Sequence, residues 1–168
     1  MAAQCLIIMG VAGSGKTSIG KVLATELGWL FYDADDYHSK ENINKMATGI
    51  ALTDENRQEW LAKLHALIGE HLARGHSMIL ACSALKQKYR EQLAEGNPGT
   101  LFVYLKGNFD QIYKQIQDRP GQYMKAEMLA SQFEELEELT DAFTVKIDKT
   151  IEQIVDEIKA KFHLGADG

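Results

Sequence analysis

From Cys5 to Met9 the chain reads Cys-Leu-Ile-Ile-Met, with no polar residue breaking the run. A strand with one wet face alternates, so a short unbroken apolar run predicts a strand covered on both faces. From Thr17 to Leu27 the spacing lengthens, with Ile19, Val22, Leu23 and Leu27 on one helical face. Trp29–Tyr32 predicts a second strand, ended by the acidic run Asp33-Ala34-Asp35-Asp36, and Tyr37 to Thr48 predicts a helix stopped by Gly49. Thr53, followed by Asp54 and Glu55, marks the start of a helix that carries Trp60, Leu61, Leu64 and Ile68 and ends near Gly75. Ser77–Cys82 predicts a third strand, with Ser83 capping a helix over Leu85–Leu93, and Leu101–Leu105 predicts a fourth. Asn108-Phe109-Asp110-Gln111 has the form of a capping box for a helix that ends near Asp118, where Arg119-Pro120-Gly121 breaks it. A helix over Lys125–Leu139 carries an acidic patch (Glu134, Glu135, Glu137, Glu138). Phe143–Ile147 predicts a fifth strand and Ile151–Phe162 a closing amphipathic helix. No repeat, low-complexity stretch or linker interrupts this alternation. It therefore predicts one α/β domain over 1–168, a parallel sheet with helices on both faces.

Composition narrows the picture. At 168 residues, 45% hydrophobic and 25% charged, the chain is long enough for one real core and too apolar for wholesale disorder. A net charge of −6 argues against nucleic acid and anionic membrane as partners. No apolar run approaches a membrane span and no secretory signal pattern opens the chain, so a cytoplasmic location is expected. Cys5 and Cys82 lie in apolar runs and read as buried free thiols.

The sharpest chemical signal is Gly10-Val11-Ala12-Gly13-Ser14-Gly15-Lys16-Thr17, set between a predicted strand and a predicted helix. Its glycines let successive N–H groups curl around phosphate oxygens at a helix N-terminus. Gly10, Ala12, Gly13, Ser14, Gly15 and Ser18 would cradle a nucleoside triphosphate, Lys16 would reach its β- and γ-phosphates, and Thr17 would hold Mg²⁺.

A phosphate loop alone does not separate a kinase from a switch or a motor. The base-reading pattern of switch GTPases is absent, since Asn44-Lys45-Met46-Ala47 lacks its Asp, and the third strand ends in Ser83 rather than an acid. The acids at the tip of an early strand are Asp33, Asp35 and Asp36. Asp33 could orient Mg²⁺, and Asp35 could take the proton of a substrate hydroxyl. Arg57 and Arg90, each near a helix start, suit an anionic substrate if they converge. Arg119 beside Pro120-Gly121 suits a lid, over about 119–126, that brings its guanidinium to the transferring phosphoryl group.

Taken with these motifs, the chain resembles the small phosphate-loop gluconate kinases (gluconokinases), relatives of shikimate kinase and the nucleoside-monophosphate kinases. The likeness runs from about Leu6 to Ile158. It rests on the loop, on Asp33-Ala34-Asp35 with His38, on Leu52-Thr53-Asp54 with Arg57, on Cys82-Ser83-Ala84-Leu85-Lys86 with Tyr89-Arg90, and on Ser131-Gln132-Phe133. The resemblance implies a five-stranded parallel sheet with a lid and a helical substrate-binding region over about 36–75. It further implies ATP- and Mg²⁺-dependent phosphorylation of D-gluconate at its 6-hydroxyl, and a homodimer. By motif, Asp35, His38, Arg57, Arg90 and Gln132 would face the sugar acid, and Arg119 would be the lid arginine. Two positions depart from the family's pattern: Gln115 stands where it has an arginine, and Gln122-Tyr123 where it has His-Phe. Two other readings stay open: a kinase for another small polyhydroxy acid, and a nucleotide-binding module without catalysis.

Overall fold

The computed structural model describes residues 2–118, 126–137 and 142–165. Its centre is strand β1 (Cys5–Met9), buried along its whole length. Because side chains alternate across a strand, Leu6 and Ile8 enter one core while Cys5, Ile7 and Met9 enter another on the opposite face. Around it lie β2 (Leu30–Asp33), β3 (Met78–Ala81), β4 (Thr100–Lys106) and β5 (Phe143–Lys146). The five strands form one parallel sheet in the order β2-β3-β1-β4-β5. The chain thus crosses from β1 to the edge strand β2, returns to β3 beside β1, and then passes to β4 and β5 on the other side. Ligands bind at the carboxyl edge of such a switch point.

Helices α1 (Lys16–Leu27) and α7 (Ile151–Phe162) cover one face through Ile19, Leu23, Ile154, Val155 and Ile158. Helices α5 (Phe109–Asp118) and α6 (Ala126–Glu135) join the same core through Ile112, Ile116 and Leu129. On the other face, α3 (Asp54–Ala73) and α4 (Gln87–Ala94) bury Trp60, Leu61, Leu64, Ile68, Tyr89 and Leu93. The α3 start is a true capping box between Thr53 and Asn56, and Asn108 and Gln111 bond reciprocally at the start of α5. Cys5 and Cys82 are both buried and free.

Three expected elements differ. The single helix from Tyr37 to Thr48 is a 3-10 turn (Ala34–Tyr37) followed by α2 (Lys40–Ala47). Asp33 and Ser39 each supply a side-chain cap, so the chain starts twice. Ser83 does not cap the next helix, which begins at Gln87 after Lys86. The Ser83 carbonyl instead accepts from Gly10 N, and Ala84 takes a left-handed φ of 44°. Helix α6 stops at Glu135, because the Glu137 amide donates to Leu85 O, across the cleft wall, at 2.8 Å. Leu139, its expected end, lies outside the described residues.

Candidate active site

The loop between β1 and α1 turns on Gly10, Gly13 and Gly15, all with positive φ. Gly13 has a φ of +82°, and a Cβ there would come 2.4 Å from Ile116 Cγ1. Lys16 Nζ donates to Val11 O at 2.9 Å, which folds the lysine back over the loop. At the tip of β2, beyond β3, Asp33 does two jobs. Its Oδ2 accepts from Thr17 Oγ1 at 3.1 Å and its Oδ1 accepts from Asp35 N at 3.0 Å. The phosphate loop and the acidic turn are therefore fastened to each other.

These residues open onto a cleft of about 430 Å³, lined by Ala12, Gly13, Gly15, Lys16, Thr17, Asp33, Asp35, His38, Arg57 and Gln132 among others. Asp35 is reached by water from the cleft yet ringed by protein. That desolvation, with the nearby Asp33 carboxylate, raises its pKa against the pull of Lys16. Burial lowers the pKa of Lys16, while Asp35 and Asp33 oppose the shift. His38 stacks on Trp60 with ring centroids 4.2 Å apart, and Trp60 Nε1 donates to Ala34 O at 2.7 Å. Trp60 thus anchors both the acidic turn and the histidine.

Burial, aided by the Arg57 charge, pushes the His38 pKa down to about 4. This ring is neutral at pH 7, so its NMR resonances should hold constant from pH 8 to about pH 5 and move only below that. Because the folded value lies under that of a free histidine, the His38 contribution to stability is complete above about pH 6.5 and is lost as pH falls towards 4. The raised Asp35 value acts with the opposite sign, so the ring resonance is the cleaner measurement.

Arg57 reaches the cleft from the first turn of α3. Its Nη1 donates to Tyr89 Oη at 2.9 Å and to Glu135 Oε2 at 2.8 Å. Burial opposes its charge, but the Tyr89 hydroxyl and the Glu135 carboxylate outweigh it and raise the pKa. Beside this group, Asp54 takes bonds from Lys86, Lys88 and the Tyr89 hydroxyl, which hold its carboxyl far below the usual carboxylate range.

Not every expected site residue faces this cleft. Arg90 is 3% exposed and sits behind the wall. It donates to Ala84 O at 2.7 Å, Glu137 O at 3.0 Å and Gln87 Oε1 at 3.2 Å. In place of a sugar-acid contact, its guanidinium braces the left-handed turn at Ala84 and ties it to the end of α6. Ser14 and Ser18 line a second cavity of about 300 Å³ behind the loop, with Gln115, Lys149 and Ile151. Gly10 lies at the root of the loop. Arg119 and the expected lid up to residue 125 lie outside the described residues.

The match with known proteins follows this geometry. The shikimate kinase family model matches residues 12–163. A probable gluconokinase of Mus musculus is 43% identical over 169 residues, covering 89% of this chain and 92% of its own. The thermoresistant gluconokinase of Escherichia coli K12 is 40% identical, covering 89% and 87%. The chain belongs to the gluconokinases, within the shikimate kinase family. A crystal structure of a gluconokinase from Sinorhizobium meliloti 1021 superposes with a TM-score of 0.86 at 37% identity, over 96% of this chain and 93% of the other.

Membership makes the chain an ATP-using phosphotransferase with an alcohol acceptor. Among the described residues no helix is long and apolar enough to cross a membrane. Within this gluconokinase cleft, sequence reasoning passed over Trp60 as a site residue and Glu135 as a partner of Arg57. The sequence shows Glu135 as one member of an acidic patch and assigns it no partner. A helical-wheel count from Gln132 to Glu135 would have put both on one side.

Proposed function

We propose that the protein transfers the γ-phosphoryl group of ATP directly and in line to the 6-hydroxyl of D-gluconate. The observation that carries this reading is the convergence of Lys16, Asp35 and Arg57 on one cleft whose floor is the phosphate loop. In this account the loop amides and Lys16 hold the triphosphate and offset the charge that builds on its oxygens. Arg57 takes the sugar-acid carboxylate, and His38, neutral, offers a hydrogen bond to a hydroxyl. Asp35 accepts the 6-hydroxyl proton as that oxygen bonds to phosphorus and the bond to the ADP oxygen breaks. Its raised pKa brings it closer to neutrality, which makes it a better base than an ordinary aspartate. The second cavity, with Gln115 and Lys149, takes the nucleoside.

The Thr17 hydroxyl and Asp33 carboxylate, 3.1 Å apart, are hard oxygen donors that suit Mg²⁺, an ion that keeps most of its shell for water and phosphate. Mg²⁺ bound there would supply charge neutralisation on the phosphates. Arg119 acts on the transferring group from the lid, and the assembly is a homodimer, which light scattering checks.

An ADP-release assay across gluconate, related aldonates, shikimate and nucleoside monophosphates tests the reading. Turnover with gluconate well above the others is expected. A preference for shikimate or a nucleotide overturns the assignment, and ATP binding without transfer to any acid overturns catalysis.

A further inference from the structure

Helix α6 carries Gln132 and Glu135 three positions apart, which puts them on one face. Both reach across the cleft to groups that anions need. Gln132 Oε1 accepts from Ala12 N, in the phosphate loop, at 2.6 Å. Glu135 Oε2 accepts from Arg57 Nη1 at 2.8 Å. The position of Ala12 matters. It lines the cleft with Lys16 and Asp35, whereas Ser14 and Ser18 line the cavity behind the loop. Its amide therefore faces the end of the loop where a terminal phosphoryl group must lie to meet an acceptor held beside Asp35.

We propose that Gln132 and Glu135 are built-in surrogates for the substrates' own oxygens. Gln132 stands in for the terminal phosphoryl group at Ala12 N, and Glu135 for the sugar-acid carboxylate at Arg57. This inference rests on the gluconate kinase reading. Substrate binding is then an exchange of one oxygen for another, and the two exchanges are unequal. A phosphoryl oxygen makes a charge-assisted bond that a carboxamide cannot match, so the triphosphate wins its seat readily. At Arg57 one carboxylate replaces another, so the gain is small.

Glu135 also opposes gluconate if the acid takes the other edge of the guanidinium. Its charge would remain a few ångströms away in a pair whose side chains are only 13% and 21% exposed and thus weakly screened. The carboxylate alone therefore earns little at this seat, and a ligand must bring hydroxyl contacts as well. Glu135 works as a specificity-determining residue that sets the affinity for the acid and excludes bare small anions.

Calorimetric titration of gluconate, and of glucitol as the same six-carbon polyol without a carboxylate, into the parent protein and Glu135→Gln tests this. The variant keeps an acceptor for Arg57 and removes the charge. Gluconate is expected to bind about tenfold more tightly, with glucitol unchanged. Equal or weaker gluconate binding would mean that Glu135 positions Arg57 for the acid, and overturns the proposal; so does an equal gain for glucitol. Glu135→Ala should shift gluconate the same way, which keeps the test alive if the first variant does not fold. For the other seat, Gln132→Ala should tighten an imido analogue of ATP about threefold relative to ADP. The same change for both nucleotides overturns that half. If the parent fails to bind gluconate, the functional reading falls and takes the proposal with it. Parent binding without a gain in the variants overturns the proposal alone.

Discussion

Asp35→Asn should lower kcat with gluconate by roughly 10²- to 10⁴-fold while leaving the affinity for a non-hydrolysable ATP analogue nearly unchanged. Asp35 lies outside the phosphate loop, and its backbone amide donates to Asp33 Oδ1, a bond that the substitution retains. The variant keeps the shape of the turn and loses the base. The pH dependence gives a second reading. Desolvation and Asp33 raise the Asp35 pKa, so the parent should lose kcat on the acid side at a pH above that of an ordinary aspartate. That limb should vanish from the residual activity of the variant. Turnover at the parent's rate would remove Asp35 from the mechanism.

Lys16→Met should cost about 10²- to 10³-fold in kcat and weaken triphosphate binding, because it removes the cation folded over the loop. It should do something else that a purely structural lysine would not. Lys16 is the charge that pulls the Asp35 pKa down against Asp33, so its loss leaves two carboxylates facing each other. The acid limb of the residual rate profile should therefore move to higher pH. Rate measurements from pH 5 to 9 on the variant check both effects. An unmoved limb would show that the two groups act independently.

The parts of this protein that were legible in its sequence are those decided by neighbours along the chain. β1 declared itself because a strand buried on both faces has no polar positions, and the phosphate loop because its glycines and Lys16 are contiguous. Thr53 capped its helix as expected, since a capping box closes within three residues. What escaped reading depends on contacts between distant segments. Ser83 has the chemistry of a cap, but its carbonyl is taken by Gly10 and the turn after it is held left-handed by Arg90. Arg90 reads as a ligand for an acid because arginine suits carboxylates, and nothing in the linear pattern brings the Ala84 and Glu137 carbonyls together beside it. Glu135 meets Arg57 across 78 positions of sequence, a pairing that only the fold creates.

The two native thiols have a practical consequence. Burial pushes Cys5 and Cys82 each up to about 12, so neither presents a thiolate at neutral pH. Cys82 borders the cleft and is still only 1% exposed. Alkylating reagents should leave the folded protein unmodified. A cysteine introduced on the outer face of α6 would then be the one reactive position in the molecule, ready to carry a fluorophore that reports on substrate capture in real time.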